Sequence, residues 1–151
     1  MAVPEDYRRV QSGSTDDFSV TYYDPSGVFT IYLARVPAKD KGPGTVAQQA
    51  AEWVSYYRGG GDNKTTIQDV KSTATPAKQQ GKDARDVLTS YRDYSAGEDD
   101  LYKRYQERYY VNGKKSAYWR LQVSMPDRGA AAKDGEQLFD TIVKHLEIQD
   151  L

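Results

Sequence analysis

Two tyrosine-rich runs, Tyr102 to Val111 and Ser116 to Ser124, flank the dipeptide Asn112-Gly113. Asn-Gly between two strand-like runs is the strongest short-range hairpin signal, because both residues tolerate the positive φ of a two-residue primed turn. An antiparallel meander therefore stands at the centre of whatever this chain folds into. Nothing in these runs spells out a reaction.

Upstream, Tyr7 to Val10 reads as a short strand and the polar stretch Gln11 to Asp17 as a loop. Phe18 to Tyr23 and Phe29 to Val36 are β-rich and separated by Asp24-Pro25-Ser26-Gly27, whose Pro and Gly positions suit a type I turn. Phe29, Ile31 and Leu33 alternate with Thr30, Tyr32 and Ala34, the period of a half-buried antiparallel strand. After the Pro37 to Gly44 loop, Thr45-Val46-Ala47-Gln48 has the form of a capping box. Val46, Ala50, Trp53, Val54 and Tyr57 then form one apolar stripe, which predicts a helix packed on the sheet through Trp53 and stopped by Gly59-Gly60-Gly61.

Thr65 to Lys71 and Ala84 to Tyr94 read as two further strands, with Ser72 to Lys82 as a polar connection. Pro126 to Gly129 ends the sheet, and Leu138, Phe139, Ile142, Val143 and Leu146 recur at helical spacing. The expected order is strands, helix, four strands, helix: one α+β domain over residues 1–151, with a curved antiparallel sheet of about six or seven strands covered by two main helices. A length of 151 residues suits a single core.

Charge and composition narrow the partners. With 21 basic and 22 acidic residues the formal charge is -1, which provides no field to recruit a polyanion, so nucleic acid is not expected. The absence of cysteine rules out disulfides, thiolate metal sites and cysteine nucleophiles, while leaving the compartment open. No apolar run reaches the roughly 20 residues of a membrane span, so direct membrane insertion by these residues is not expected.

The candidate chemistry is sparse. His145, the only histidine, sits beside Lys144 in the last helical turn, where a cation complements the helix dipole, and it reads as structural. Asp16-Asp17 and Glu98-Asp99-Asp100 lack the spacing of a calcium loop and read as solvated charge. Gly59-Gly60-Gly61 follows a helix rather than leading into one, the reverse of a phosphate loop, so it reads as a helix stop. Asn63-Lys64-Thr65 matches a glycosylation sequon, which matters only in a host that glycosylates secreted chains. No catalytic residue, metal ligand or cofactor site is expected.

The opening Val3-Pro4-Glu5-Asp6-Tyr7, then Val20-Thr21-Tyr22-Tyr23-Asp24-Pro25-Ser26-Gly27 running into Phe29-Thr30-Ile31-Tyr32, carries a family resemblance. The Trp53 helix, the Ala84 to Tyr94 strand, Tyr109-Tyr110-Val111-Asn112-Gly113, the Tyr118 to Ser124 strand and Leu138-Phe139-Asp140-Thr141-Ile142-Val143 agree with it. The chain resembles the extracytoplasmic domains that follow the membrane anchor in actinobacterial (Streptomyces-type) serine/threonine protein kinases and related lipoproteins. The resemblance implies a PsbP-like sandwich, an extracytoplasmic location and no catalytic residues to carry over. Such domains usually begin with a strand of the form F-S-V-x-V-P-x-G-W. The expectation is that this strand and a membrane segment belong to a longer parent, or that Phe18 to Val20 takes the strand's place. Kinase motifs such as H-R-D and D-F-G are absent, so any kinase activity would lie outside these residues.

The expected function is thus a non-catalytic sensor or binding domain, its partner an unidentified protein, peptide, glycan or cell-wall ligand. The alternative is a cytoplasmic, small-molecule-binding or enzymatic domain of the cone-shaped, nuclear-transport-factor-like kind, with Asp86 or Asp93 as its carboxylates. Alternation along the meander puts Tyr105 and Tyr109 on one face and Tyr102 and Tyr110 on the other with Arg104 and Arg108. One face is expected under the two helices. The other would form a partner surface from Tyr102, Arg104, Arg108 and Tyr110 with Tyr118 or Trp119, because Tyr, Trp and Arg dominate binding hot spots. Failing that, the Pro37 to Gly44 and Ser95 to Asp100 loops are the places to look.

Overall fold

The computed structural model describes residues 3–14, 17–37, 44–61, 66–95, 102–112 and 117–148; within 102–112 it describes the backbone and the side chains of Lys103, Tyr105 and Arg108. These residues form β1 (Arg8–Gly13), β2 (Phe18–Tyr23), β3 (Thr30–Pro37), α1 (Val46–Arg58), β4 (Ile67–Gln79), β5 (Lys82–Asp93), β6 (Tyr102–Asn112), β7 (Ala117–Pro126) and α2 (Gly129–His145). The strands make one antiparallel sheet in the order β1-β2-β3-β7-β6-β5-β4. The fold is α+β.

Local chemistry accounts for the elements. Between β2 and β3 the Gly27 N–H donates to the Asp24 carbonyl (2.9 Å) and the Val28 N–H to the Asp24 carboxylate (3.2 Å). The Ser26 hydroxyl also bonds that carboxylate, and these bonds hold it below its ordinary pKa. Helix α1 begins with the full capping box: Thr45 Oγ1 accepts from the Gln48 N–H, and Gln48 Oε1 accepts from the Thr45 N–H. The glycine stop after it works through Gly60 and Gly61, both at positive φ, whereas Gly59 is not left-handed.

Three expectations are corrected. The stretch from Ser72 is not a connection: β4 runs on to Gln79 and turns through Gln80-Gly81, both at positive φ, as a two-residue primed turn requires. Because β4 is the sheet's outer strand, it needs no strong apolar alternation and tolerates Pro76. For the same reason β1, exposed along its whole length, extends into residues read as loop. In the central hairpin Asn112 is itself in the ladder, opposite Ala117, so a two-residue Asn112-Gly113 turn is not formed.

The helices also divide between the faces instead of sharing one. On β7, Leu121, Val123 and Met125 pack with Phe139 and Ile142 of α2, whereas Tyr118 packs with Val46, Ala50 and Trp53 of α1. Both faces of this strand carry bulk, so each needs its own cover. Helix α1 crosses β4, β5 and β6, and α2 crosses β7 and β6. The principal core lies under α2: Val20, Ile31, Leu33, Leu121, Val123, Met125, Phe139 and Ile142 are all buried. Leu146 and Ile148 close it, held by Gln79 Nε2 donating to the Leu146 carbonyl (2.7 Å) and Gln80 exchanging two bonds with Ile148 (2.9 and 2.7 Å).

Candidate functional site

The α1 face carries a cup lined by four tyrosines, Tyr56, Tyr57, Tyr91 and Tyr105, with Gly60, Gly61, Ile67, Val70 and Thr89. The last turn of α1 brings Tyr56 and Tyr57 over β5 and β6, because Tyr57 continues the stripe that seats the helix. Thr89 of β5 pairs with Tyr105 of β6, which makes Tyr91 the diagonal neighbour of Tyr105 on this face. Their hydroxyls meet at 2.5 Å and their rings at 5.5 Å. The Tyr57 ring stands 6.0 Å from Tyr105 and 5.7 Å from Tyr56.

Beneath them Thr89 is fully buried, its hydroxyl tied to that of Ser72 at 2.8 Å. A β-bulge at the start of β4, with Asp69 at φ 53 and the register slipping between Gln68 and Lys71, accompanies the turn of Ile67 and Val70 into the wall. Gly60 and Gly61 form the rim. At Gly61 the φ is +56, and a Cβ would come 3.3 Å from Tyr56 Cε1, so glycine is what lets that ring lie against the rim. The cup is open to one side, its volume is about 180 Å³, and none of its lining residues is charged.

The cup's back wall is braced by a cation. Arg120 of β7 donates to Tyr57 Oη (2.7 Å), and its guanidinium stacks 4.2 Å above Trp53 and 5.7 Å from Tyr32. Trp53 in turn meets Tyr56 edge-on at 5.3 Å. Burial, reinforced by the bond to Tyr105, drives the Tyr91 phenol far above its ordinary pKa, so it stays protonated at any ordinary pH. Burial likewise raises Tyr118, beside Trp53.

Of the expected partner surface, the side chains described are those of Arg108, Trp119 and Tyr118. Arg108 is largely buried, at 13% exposure, and makes a two-pronged ion pair with Asp86 directly opposite it (2.7 and 3.0 Å). It also donates to Gln79 Oε1 (3.0 Å) and lies 5.9 Å from the Phe139 ring, so it braces β4, β5, β6 and α2. Trp119 packs against the α2-side core and meets Phe18 edge-on at 5.4 Å, and its indole nitrogen is buried with no hydrogen bond. Tyr118 lies on the opposite face with α1. Tyr102, Arg104 and Tyr110 hold ladder positions opposite Arg92, Ser90 and Ala84, and their side chains lie outside the described residues.

Residues 38–43 and 96–100 of the two alternative loops, the sequon, Asp16 and Glu98-Asp99-Asp100 also lie outside the described residues. Asp86 is held by Arg108. Asp93 bonds the Ser95 hydroxyl (2.6 Å) and N–H (2.9 Å), which lowers its pKa. Neither lines the cup. His145 is exposed, with Nδ1 2.9 Å from the Thr141 carbonyl. Among the described residues no cluster of His, Asp or Glu could hold a metal ion, and no helix is long and apolar enough to cross a membrane.

The sequence places Tyr105 on one face of the meander and Tyr57 in the helix stripe, but points to none of Tyr56, Tyr57, Tyr91 and Tyr105 as a site. The signal was the pairing register, which brings residues from α1, β5 and β6 together. Neither protein-family models nor curated proteins match the chain.

Proposed function

We propose that this chain is a non-catalytic binding domain whose ligand site is the tyrosine cup between α1 and β4, β5 and β6. The observation that carries this reading is the cup itself: an uncharged cavity of about 180 Å³ whose walls are rings from three separate elements. Its polar groups are engaged with one another, as Tyr91 is with Tyr105 and Thr89 with Ser72, an arrangement suited to holding a group rather than transforming it. Such a volume is below the roughly 300–1,000 Å³ of sites for drug-sized molecules and matches a single side chain or head group.

The setting we infer is extracytoplasmic. The two-helix, single-sheet α+β arrangement is compatible with a PsbP-like sandwich, as the sequence resemblance implies, carried by a membrane-anchored serine/threonine kinase or a lipoprotein. The partner would be a protein, peptide or cell-wall ligand, with nucleic acid disfavoured by the near-neutral charge of -1.

A ligand-observed NMR screen of peptides, cell-wall fragments and small organic molecules, run on the wild type and Tyr105→Leu, tests the reading. Saturable binding that weakens in the folded variant, with no chemical change in the ligand, is the expected result. Turnover of a ligand, or binding indifferent to Tyr105→Leu, would overturn it. For the setting, a parent gene that encodes no signal peptide, lipobox or membrane segment would be the contrary finding.

A further inference from the structure

We propose that the tyrosine cup selects a compact organic cation, a quaternary or otherwise methylated ammonium group; this rests on the reading of the cup as the binding site.

Tyr56, Tyr57, Tyr91 and Tyr105 supply four phenol rings, with Thr89, Ile67, Val70 and the two rim glycines completing the wall. Successive rings are steeply inclined, at 63° for Tyr56 and Tyr57, 52° for Tyr57 and Tyr105, and 68° for Tyr91 and Tyr105. The four rings reach the space from α1, β5 and β6, and each carries a quadrupole whose face is negative. A fixed cation stabilised by ring faces is the general means by which aromatic cages recognise quaternary ammonium groups.

Charge and size point the same way. An anion would find no lysine or arginine in the lining. A strongly hydrated primary ammonium would lose its water without carboxylates to replace it, since none lines the cup either. A methylated ammonium spreads its charge over an apolar surface and needs neither. The protein already uses this chemistry next door, where the Arg120 guanidinium sits 4.2 Å over Trp53, the ring that abuts Tyr56. The neighbouring recess, which shares Val70 and Tyr91 with the cup, carries Asp69 and Asp127 against Lys71 and Arg92, so that recess favours neither sign. Discrimination then falls to the rings.

The test is a titration followed by Trp fluorescence and calorimetry at fixed ionic strength, comparing choline with dimethylbutanol, its uncharged carbon isostere. Choline is expected to bind about tenfold tighter, the ratio that desolvated cation–π contacts give. Tyr56→Leu, at a ring that is 39% exposed, should lower choline affinity several-fold while leaving the isostere's affinity nearly unchanged, its unfolding transition measured alongside. Tyr56→Phe, which keeps the ring, should retain it. Equal affinity for the two ligands would overturn the cation preference and leave the binding reading standing, because the cup would then recognise shape alone. Saturation by neither ligand, in a protein whose unfolding transition is intact, would overturn the cation inference. If the broader screen also finds no ligand sensitive to Tyr105→Leu, the binding reading falls with it.

Discussion

Replacing Gly135 by alanine sets two effects of opposite sign against each other in the middle of α2. Helix propensity favours alanine by about 1 kcal/mol at an interior position. Packing opposes it: a Cβ at Gly135 would stand 2.3 Å from Met125 Sδ, 2.9 Å from its Cε and 3.0 Å from its Cβ. Carbon and sulfur pack at about 3.5–4 Å, so the thioether would have to retreat by more than 1 Å. It has little room to do so, since Met125 is 2% exposed and sits in the core with Phe139 and Ile142. Met125 Cβ cannot move without β7, so the flexibility of the thioether does not resolve the clash. Overpacking costs about 1–3 kcal/mol, and a contact as short as 2.3 Å belongs to the upper part of that range, about 2–3 kcal/mol, so the net after the propensity gain is a loss of about 1–2 kcal/mol. Thermal unfolding should show a Tm lower by roughly 3–6 °C. In Met125→Ala, which removes the Sδ and Cε contacts and leaves only the one to Cβ at 3.0 Å, adding Gly135→Ala should cost less than it does in the wild type, a coupling that a double-mutant cycle reads directly. A Tm that rises for Gly135→Ala in the wild-type background would refute the close seating of α2 on β7.

Three further outcomes follow from the same geometry. Arg108→Ala should cost about 2 kcal/mol in urea unfolding, between the values for surface and fully buried pairs, because Asp86 at 30% exposure is left half-buried without its partner; a loss under about 0.5 kcal/mol would show the pair to be superficial. Tyr91 is protonated in the folded state well beyond the point, near 10, where an unfolded tyrosine ionises. Its contribution is therefore complete below about pH 10 and declines above it, so stability should fall on the alkaline side and Tyr91→Phe should flatten that limb. Arg58 donates to the Ser72 carbonyl through Nε (3.2 Å) and Nη2 (2.9 Å) on the sheet's outer strand, so Arg58→Ala should expose an edge acceptor and increase concentration-dependent association in light scattering.

The parts of the fold legible in the sequence are those set by local chemistry. Thr45 and Gln48 cap α1 as their spacing implies, Asp24 to Gly27 turns as its Pro and Gly positions imply, and the Phe139 and Ile142 stripe is buried at helical period. What escaped depends on place in the sheet. Ser72 to Gln79 has the polarity of a loop because an outer strand buries little, and only Gln80-Gly81 marked the turn that makes it a strand. Arg108 is exposed by composition alone, yet the register sets it against Asp86, which uses its charge. The cup was illegible for the same reason. Tyr57, Tyr91 and Tyr105 are far apart along the chain, and nothing short of the α1, β5 and β6 packing brings their rings within 6.0 Å.

Intermolecular nuclear Overhauser effects from the methyl protons of tetramethylammonium to the protein test the central claim most directly. They should appear at the ring protons of Tyr56, Tyr57, Tyr91 and Tyr105, the four aromatic residues that line the cup, and weaken in Tyr105→Leu. Contacts confined to other aromatic residues, such as Tyr22 and Tyr23 at the far side of the sheet, or no contacts at saturating ligand, would contradict the assignment of the cup as the binding site.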